Sequence, residues 1–140
     1  MEPNGIFPGI SILVVDDNEA VREAIAVMLL GRGYRCESAK NGIEALQRAR
    51  QSRFDAVVTD LEMPAMDGIA LTRKLRQYFP DLPVMIMTGC SDDDCKEIAF
   101  RAGAREFLSK PFDLPDLIRK LHRILPGHNL AKEQVAPERA

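Results

Sequence analysis

ISILVVDDNEA, residues 10–20, passes from a nearly unbroken apolar run to two adjacent aspartates in a single step. Near-continuous Ile, Leu and Val over 10–15 reads as a short strand covered on both faces, since no solvent-facing side alternates with the apolar one. Asp16 and Asp17 then stand at the carboxyl end of that strand. Either one is a favoured cap for a following helix. Paired charge at the end of a core strand also suits a bound cation.

Comparable apolar runs recur at 56–59, 84–88 and 106–109, with a weaker one at 34–38. Helical spacing fills the gaps between them. Val21, Ile25, Met28 and Leu29 fall on one stripe of a first helix that should stop near Gly31 and Gly33. A second helix is expected over 42–51 with Ile43, Leu46 and Ala49 inward, and a third over 68–78 with Ile69, Leu71 and Leu75 inward. The fourth follows Ser91, read as its cap. The fifth follows Asp113, a favourable cap, with Pro115 in the first turn and Leu117, Leu121 and Leu125 on one face.

The resulting order βαβαβαβαβα predicts an α/β domain with a doubly wound parallel sheet, and right-handed crossovers leave few topologies open. At 140 residues, 46% hydrophobic and 29% charged, one domain over 9–125 accounts for the chain, with 1–8 as a leader and 126–140 as a polar tail or linker stub. A net charge of -2 disfavours direct nucleic-acid binding or an anionic membrane surface. No apolar run approaches the ~20 residues that span a bilayer, and the start MEPNGIFPG lacks a basic region and an apolar core, so a cytoplasmic location is expected. Cys36, Cys90 and Cys95 form no C-x-x-C pair and read as three ordinary reduced thiols.

Ligands of such sheets collect beyond the carboxyl ends of the strands, where the strand order reverses. Asp16 and Asp17 follow the first strand, Asp60 the third and Lys110 the fifth, while Thr88 closes the fourth. With strand order 2-1-3-4-5 the first and third strands are neighbours, and three carboxylates converge. Like charges about 4 Å apart repel by roughly 4 kcal/mol per pair at an effective dielectric near 20. Hard oxygen donors without nearby His or Cys suit Mg²⁺, or Mn²⁺ in its place. Singly, each residue has a plainer reading: a helix cap, a surface lysine, a β-branched strand residue. Their joint placement at successive strand ends points to a site.

ILVVDDNEAVREAI, DAVVTDLEMPAMDGIAL, PVMIMTG and AGAREFLSKPFDLPDLI together resemble the receiver domain of bacterial two-component response regulators, over about residues 9–125 and in that family's motif order. The resemblance implies a flavodoxin-like (βα)5 fold with Asp60 as phosphoacceptor. It further implies that Asp16, Asp17, Asp60 and the main-chain carbonyl of Glu62 hold the metal. Thr88 and Lys110 would bond phosphoryl oxygens, Phe107 would be the switch aromatic that turns inward when the threonine moves, and Pro111 would follow a cis peptide. Such a domain catalyses its own phosphorylation and dephosphorylation and acts on no other substrate. Its implied donors are a histidine kinase, a histidine phosphotransfer protein or a small phosphodonor. Its implied target is a downstream protein or an output domain, with a phosphorylation-dependent homodimer as a further form. The family's usual output surface maps onto 92–125, including Ile98, Arg101 and Arg105.

Two features are this chain's own. Glu62 sets an acid beside the acceptor, to touch the metal shell or simply to face solvent. Asp92, Asp93 and Asp94 suit a helix N-terminus or an acidic rim that favours a basic partner. Neither His122 nor His128 has the supporting acid of a phosphodonor, and Arg119, Lys120 and Arg123 read as a solvated face or a partner surface. A haloacid dehalogenase-type phosphatase would want D-x-D after the first strand, where this chain has Asp16, Asp17 and Asn18. An FMN binder would want a Ser/Thr/Gly-rich loop there. A phosphorylation-independent scaffold would not need all five site positions filled. With only a short tail after Leu125, the 140 residues read as a stand-alone receiver or a piece of a longer regulator.

Overall fold

The computed structural model describes residues 9–90 and 92–125. The expected leader 1–8, the tail 126–140 with His128, and Ser91 lie outside them. Five strands alternate with five helices: β1 (Ser11–Val15), α1 (Glu19–Leu30), β2 (Arg35–Ala39), α2 (Gly42–Gln51), β3 (Ala56–Asp60), α3 (Gly68–Tyr78), β4 (Val84–Thr88), α4 (Asp93–Ala102), β5 (Glu106–Ser109) and α5 (Leu114–Ile124). All pairings are parallel and the order is β2-β1-β3-β4-β5.

The alternation of side chains along each strand divides the core into two layers. Leu13, Val15, Val57, Ile86 and Phe107 face one side and pack with Ala45, Leu46 and Ala49 of α2, Leu71 and Leu75 of α3, and Ala99 of α4. Ile12, Val14, Val58, Met85, Met87 and Leu108 face the other, beneath Ile25 and Leu29 of α1 and Leu117, Ile118, Leu121 and Ile124 of α5. Both faces of β3 and β4 are therefore dry, which is why those strands read as continuous apolar runs. β2 lies at an edge and alternates exposed and covered residues, which explains its weaker signal.

Side-chain caps start every helix: Asn18, Asn41, Asp67, Asp92 and Asp113 each accept an amide from the first turn. The expectation of Ser91 as the cap of the fourth helix is corrected, because the Asp92 carboxylate accepts the Cys95 amide at 2.9 Å. Ile43 is corrected too. The buried stripe of α2 runs Gly42, Ala45, Leu46, Ala49, the i, i+3, i+4, i+7 spacing, and this turns Ile43 to solvent at 56% exposure. α4 ends at Gly103 with φ +113°, a left-handed conformation that a side chain would oppose.

Candidate functional site

Strand register builds the site. Val15 pairs with Thr59, so one further step along both strands sets Asp16 beside Asp60. Asp60 pairs with Met87 and Thr88 with Ser109, so Thr88 and the start of the β5–α5 loop at Lys110 complete the same sheet end. Backbone bonds prolong the ladders into the loops: Asp16 N–H to Ala39 O, Leu61 N–H to Met87 O, and Lys110 N–H to Thr88 O.

Carboxylate oxygens of Asp16, Asp17 and Asp60 lie within 4.8 Å of one another. Asp16 and Asp60 are buried, whereas Asp17 is exposed and forms the open side. Neither Asp16 nor Asp17 caps α1. Asn18 takes that role, and the Asp16 Oδ1 accepts the Asn18 amide at 2.9 Å. The Arg22 guanidinium donates to the Asp16 carbonyl at 2.8 Å, which ties the first turn of α1 to the site. Lys110 Nζ reaches both buried acids, at 3.1 Å from Asp60 Oδ1 and 3.4 Å from Asp16 Oδ2.

One lysine among three carboxylates leaves an excess of negative charge. Burial pushes the Asp60 carboxyl above its usual range; the Lys110 hydrogen bond pulls it back, and the Asp16 and Glu62 charges push it up again. Burial opposes the charge of Lys110, but its bonds and attraction to Asp60 and Asp16 outweigh that, so its ammonium is held above the ordinary range. The donor set is all hard oxygen, converging from two strand ends and open on the Asp17 side. It could hold a small divalent cation with room for water or phosphoryl oxygens.

Thr88 is fully buried. Its hydroxyl donates to Glu62 Oε2 at 2.6 Å and accepts the Cys90 amide at 3.0 Å. The loop that carries Glu62 continues through a tight turn, with Met66 N–H bonded to Pro64 O and Ala65 at φ +69°, a left-handed conformation uncommon for a residue with a Cβ. Gly68 then begins α3 directly against the end of β3, where an added Cβ would overlap the Asp60 carbonyl oxygen.

A family model described as the response regulator receiver domain matches residues 12–122. The chain belongs to that family. Receiver domains are signalling domains, and membership implies phosphorylation-dependent signalling. The response regulator MprA of Mycobacterium ulcerans is 37% identical over 127 residues, 91% of this chain and 55% of that protein. The DNA-binding transcriptional regulator NtrC of Escherichia coli K12 is 37% identical over 126 residues, 90% of this chain and 26% of that one. The chain thus spans about half or less of these curated relatives. Among solved structures, the chemotaxis protein CheY4 of Vibrio cholerae superposes with a TM-score of 0.80 at 31% identity, covering 83% of this chain and 98% of that one. A receiver domain from Clostridium thermocellum gives 0.80 at 29% identity, over 87% and 98%.

The sequence-predicted residues of this receiver domain mostly converge. Asp16, Asp17, Asp60 and Lys110 form one cluster, Thr88 ends the next strand, and the Lys110–Pro111 peptide is cis. Phe107 is already inside, 3% exposed within the α2–α3–α4 layer. Three readings change. Glu62 is exposed to solvent, as one reading had it, but its carboxylate also accepts the Thr88 hydroxyl across 26 positions of sequence. Lys120 is not merely part of a solvated face, since its ammonium donates to the Phe107 carbonyl at 2.6 Å. The expectation of three reduced thiols fails, because Cys90 and Cys95 are joined as a disulfide with Cα atoms 6.4 Å apart. The turn from β4 into α4 folds the two residues back to bridging distance, which a spacing rule built on C-x-x-C does not detect. Cys36 stays free.

Proposed function

We propose that this domain is a phosphorylation switch with Asp60 as the acceptor. The convergence of Asp16, Asp17 and Asp60 within 4.8 Å, bridged by Lys110, carries the reading. Mg²⁺, or Mn²⁺, held by those carboxylates and the Glu62 main-chain carbonyl, would neutralise charge on the transferred phosphoryl group when bound. Asp60 is a weak nucleophile toward phosphorus, so placement and charge compensation must supply the rate. Its oxygen forms the new bond to phosphorus as the donor's own bond to phosphorus breaks, P–N in a phosphohistidine and P–O in a small acyl phosphate, and the Lys110 ammonium stays against the product.

The donor is a histidine kinase, a histidine phosphotransfer protein or a small phosphodonor. Phosphorylation adds charge that draws the Thr88 hydroxyl away from Glu62, and Phe107 and α4 repack behind it. The surface formed by α4, β5 and α5 carries the output to a downstream protein or an output domain, or to a second copy as a phosphorylation-dependent homodimer. Exposed Ile98 and Phe100 on α4, with Arg101 and Arg105 beside them, suit such docking. Residues 9–125 form the switch in the cytoplasm, between a leader and a polar tail or linker, and make no direct nucleic-acid contact. No described helix is long and apolar enough to cross a membrane.

Incubation with acetyl phosphate, with and without Mg²⁺, tests the proposal by intact mass. A single phosphoryl adduct is expected with Mg²⁺ and none with Asp60→Asn. Absence of the adduct, together with no binding of beryllofluoride, would leave the phosphorylation-independent scaffold as the better account.

A further inference from the structure

The disulfide lies in the segment between the last residue of β4, Thr88, and the first turn of α4. Cys90 donates its amide to the Thr88 hydroxyl, whose own hydrogen is committed to Glu62. Cys95 is fixed at the other end. Its amide is held by the Asp92 cap, and its side chain packs against the core layer under α2, α3 and α4. Cys95 also shares with Glu62 and Ile98 the lining of a cavity of about 550 Å³ between the β3–α3 loop and α4. The sulfur bridge therefore connects the group that reads the acceptor to the helix proposed to carry the output.

We propose that Cys90 and Cys95 are a reversible dithiol–disulfide pair that sets how easily the Thr88 hydroxyl leaves Glu62, so that redox state gates the phosphorylation response. The inference rests on the phosphorylation-switch reading above. In the oxidised state the Cys90 amide, and with it Thr88, is tethered to α4 and resists the loop movement that turns the hydroxyl toward Asp60. Reduction removes the tether and leaves the two hydrogen bonds alone to hold the resting arrangement.

Both cysteines are only half-buried, so small thiols and disulfides can reach them. Oxidation proceeds by exchange with a low-molecular-weight disulfide. One cysteine thiolate attacks it, forming a mixed disulfide and releasing one small thiol. The second cysteine displaces the other small thiol, giving the Cys90–Cys95 bond, with the two cysteine protons balancing the two thiols released. A small dithiol runs the reaction backward. In a thiol-rich compartment, a disulfide in a mesophilic protein is usually transient and catalytic or redox-sensing rather than a permanent brace. Cys36 is the internal control. Burial, with the Glu37 charge adding to it, pushes its thiol up to about 11, which keeps it out of exchange near neutral pH.

The test compares full-length protein oxidised with oxidised glutathione and reduced with dithiothreitol, then freed of both reagents, with intact mass and thiol titration to fix the redox state. Adduct formation from acetyl phosphate with Mg²⁺ is timed in each. The reduced protein is expected to phosphorylate at least about fivefold faster, at the lower end of ordinary allosteric coupling. Cys95→Ser should match the reduced rate under both treatments, and Cys36→Ser should keep the wild-type difference. Equal rates in the two wild-type forms, a disulfide that never forms, or a difference that survives Cys95→Ser would overturn the redox inference and leave the phosphorylation reading standing. Adduct in neither form, with no beryllofluoride binding, would overturn both.

Discussion

At the scale of single residues, charge compensation in a buried cluster decides the behaviour. Among the described residues Lys110 is the one cation paired with both Asp16 and Asp60, and about a third of its side chain still meets water. Lys110→Met should cost roughly 1–3 kcal/mol in metal-free buffer, less than a fully buried pair because solvent screens it. Denaturant titration with and without Mg²⁺ checks this, with part of the loss expected to return when the metal is added. Tyr34 supplies a pH test far from the site. Its side chain is 1% exposed, and burial, only partly offset by Arg32, pushes its phenol up to about 12. Above the ordinary phenol range, about pH 10, the unfolded chain ionises while the folded one does not, so stability falls between about pH 10 and 12 and levels off beyond. Tyr34→Phe should lack this part of the slope. A stability difference between the two proteins that stays constant from pH 9 to about 12 would contradict the assignment.

At the scale of elements, helix starts and close approaches fix the site more than propensity does. Gly68 is needed because α3 begins against the backbone at the end of β3, not because the turn demands an unusual φ. Gly68→Ala should therefore lose about 1–3 kcal/mol by overpacking. It should also slow adduct formation, because the Asp60 backbone must move; thermal unfolding and the acetyl phosphate time course report the two effects separately. The elements best legible in sequence were β1, β3 and β4, where dry faces force apolar runs, and α5, where Asp113, Pro115 and the leucine stripe agree. Ile43 misled because an exposed isoleucine beside an alanine-rich stripe mimics a core position. Ser91 misled because the run of three aspartates after it supplies an equally good cap one residue later.

At the scale of the whole molecule, sheet order brings residues 16, 60, 88 and 110 to one end, and this was legible because each follows or closes an apolar run. What was not legible depends on side-chain reach between loops. The Thr88–Glu62 bond and the Cys90–Cys95 bridge need the path of the turns after β3 and β4, which periodicity does not encode. The same convergence predicts that divalent metal stabilises the entire fold. At a Mg²⁺ concentration of about 100 times Kd the gain should be about 2.7 kcal/mol. Asp60→Asn should shrink that gain, and calcium-free, chelator-matched melting curves of the two proteins measure it.

The most direct test of the account locates the phosphoryl group itself. Protein phosphorylated with acetyl phosphate and Mg²⁺ is reduced with borohydride, which converts an aspartyl phosphate to homoserine, and is then sequenced by tandem mass spectrometry. Homoserine at position 60 and at no other aspartate is the predicted result. Conversion at Asp16 or Asp17 with Asp60 unchanged would contradict the assignment of the acceptor and the roles built around it.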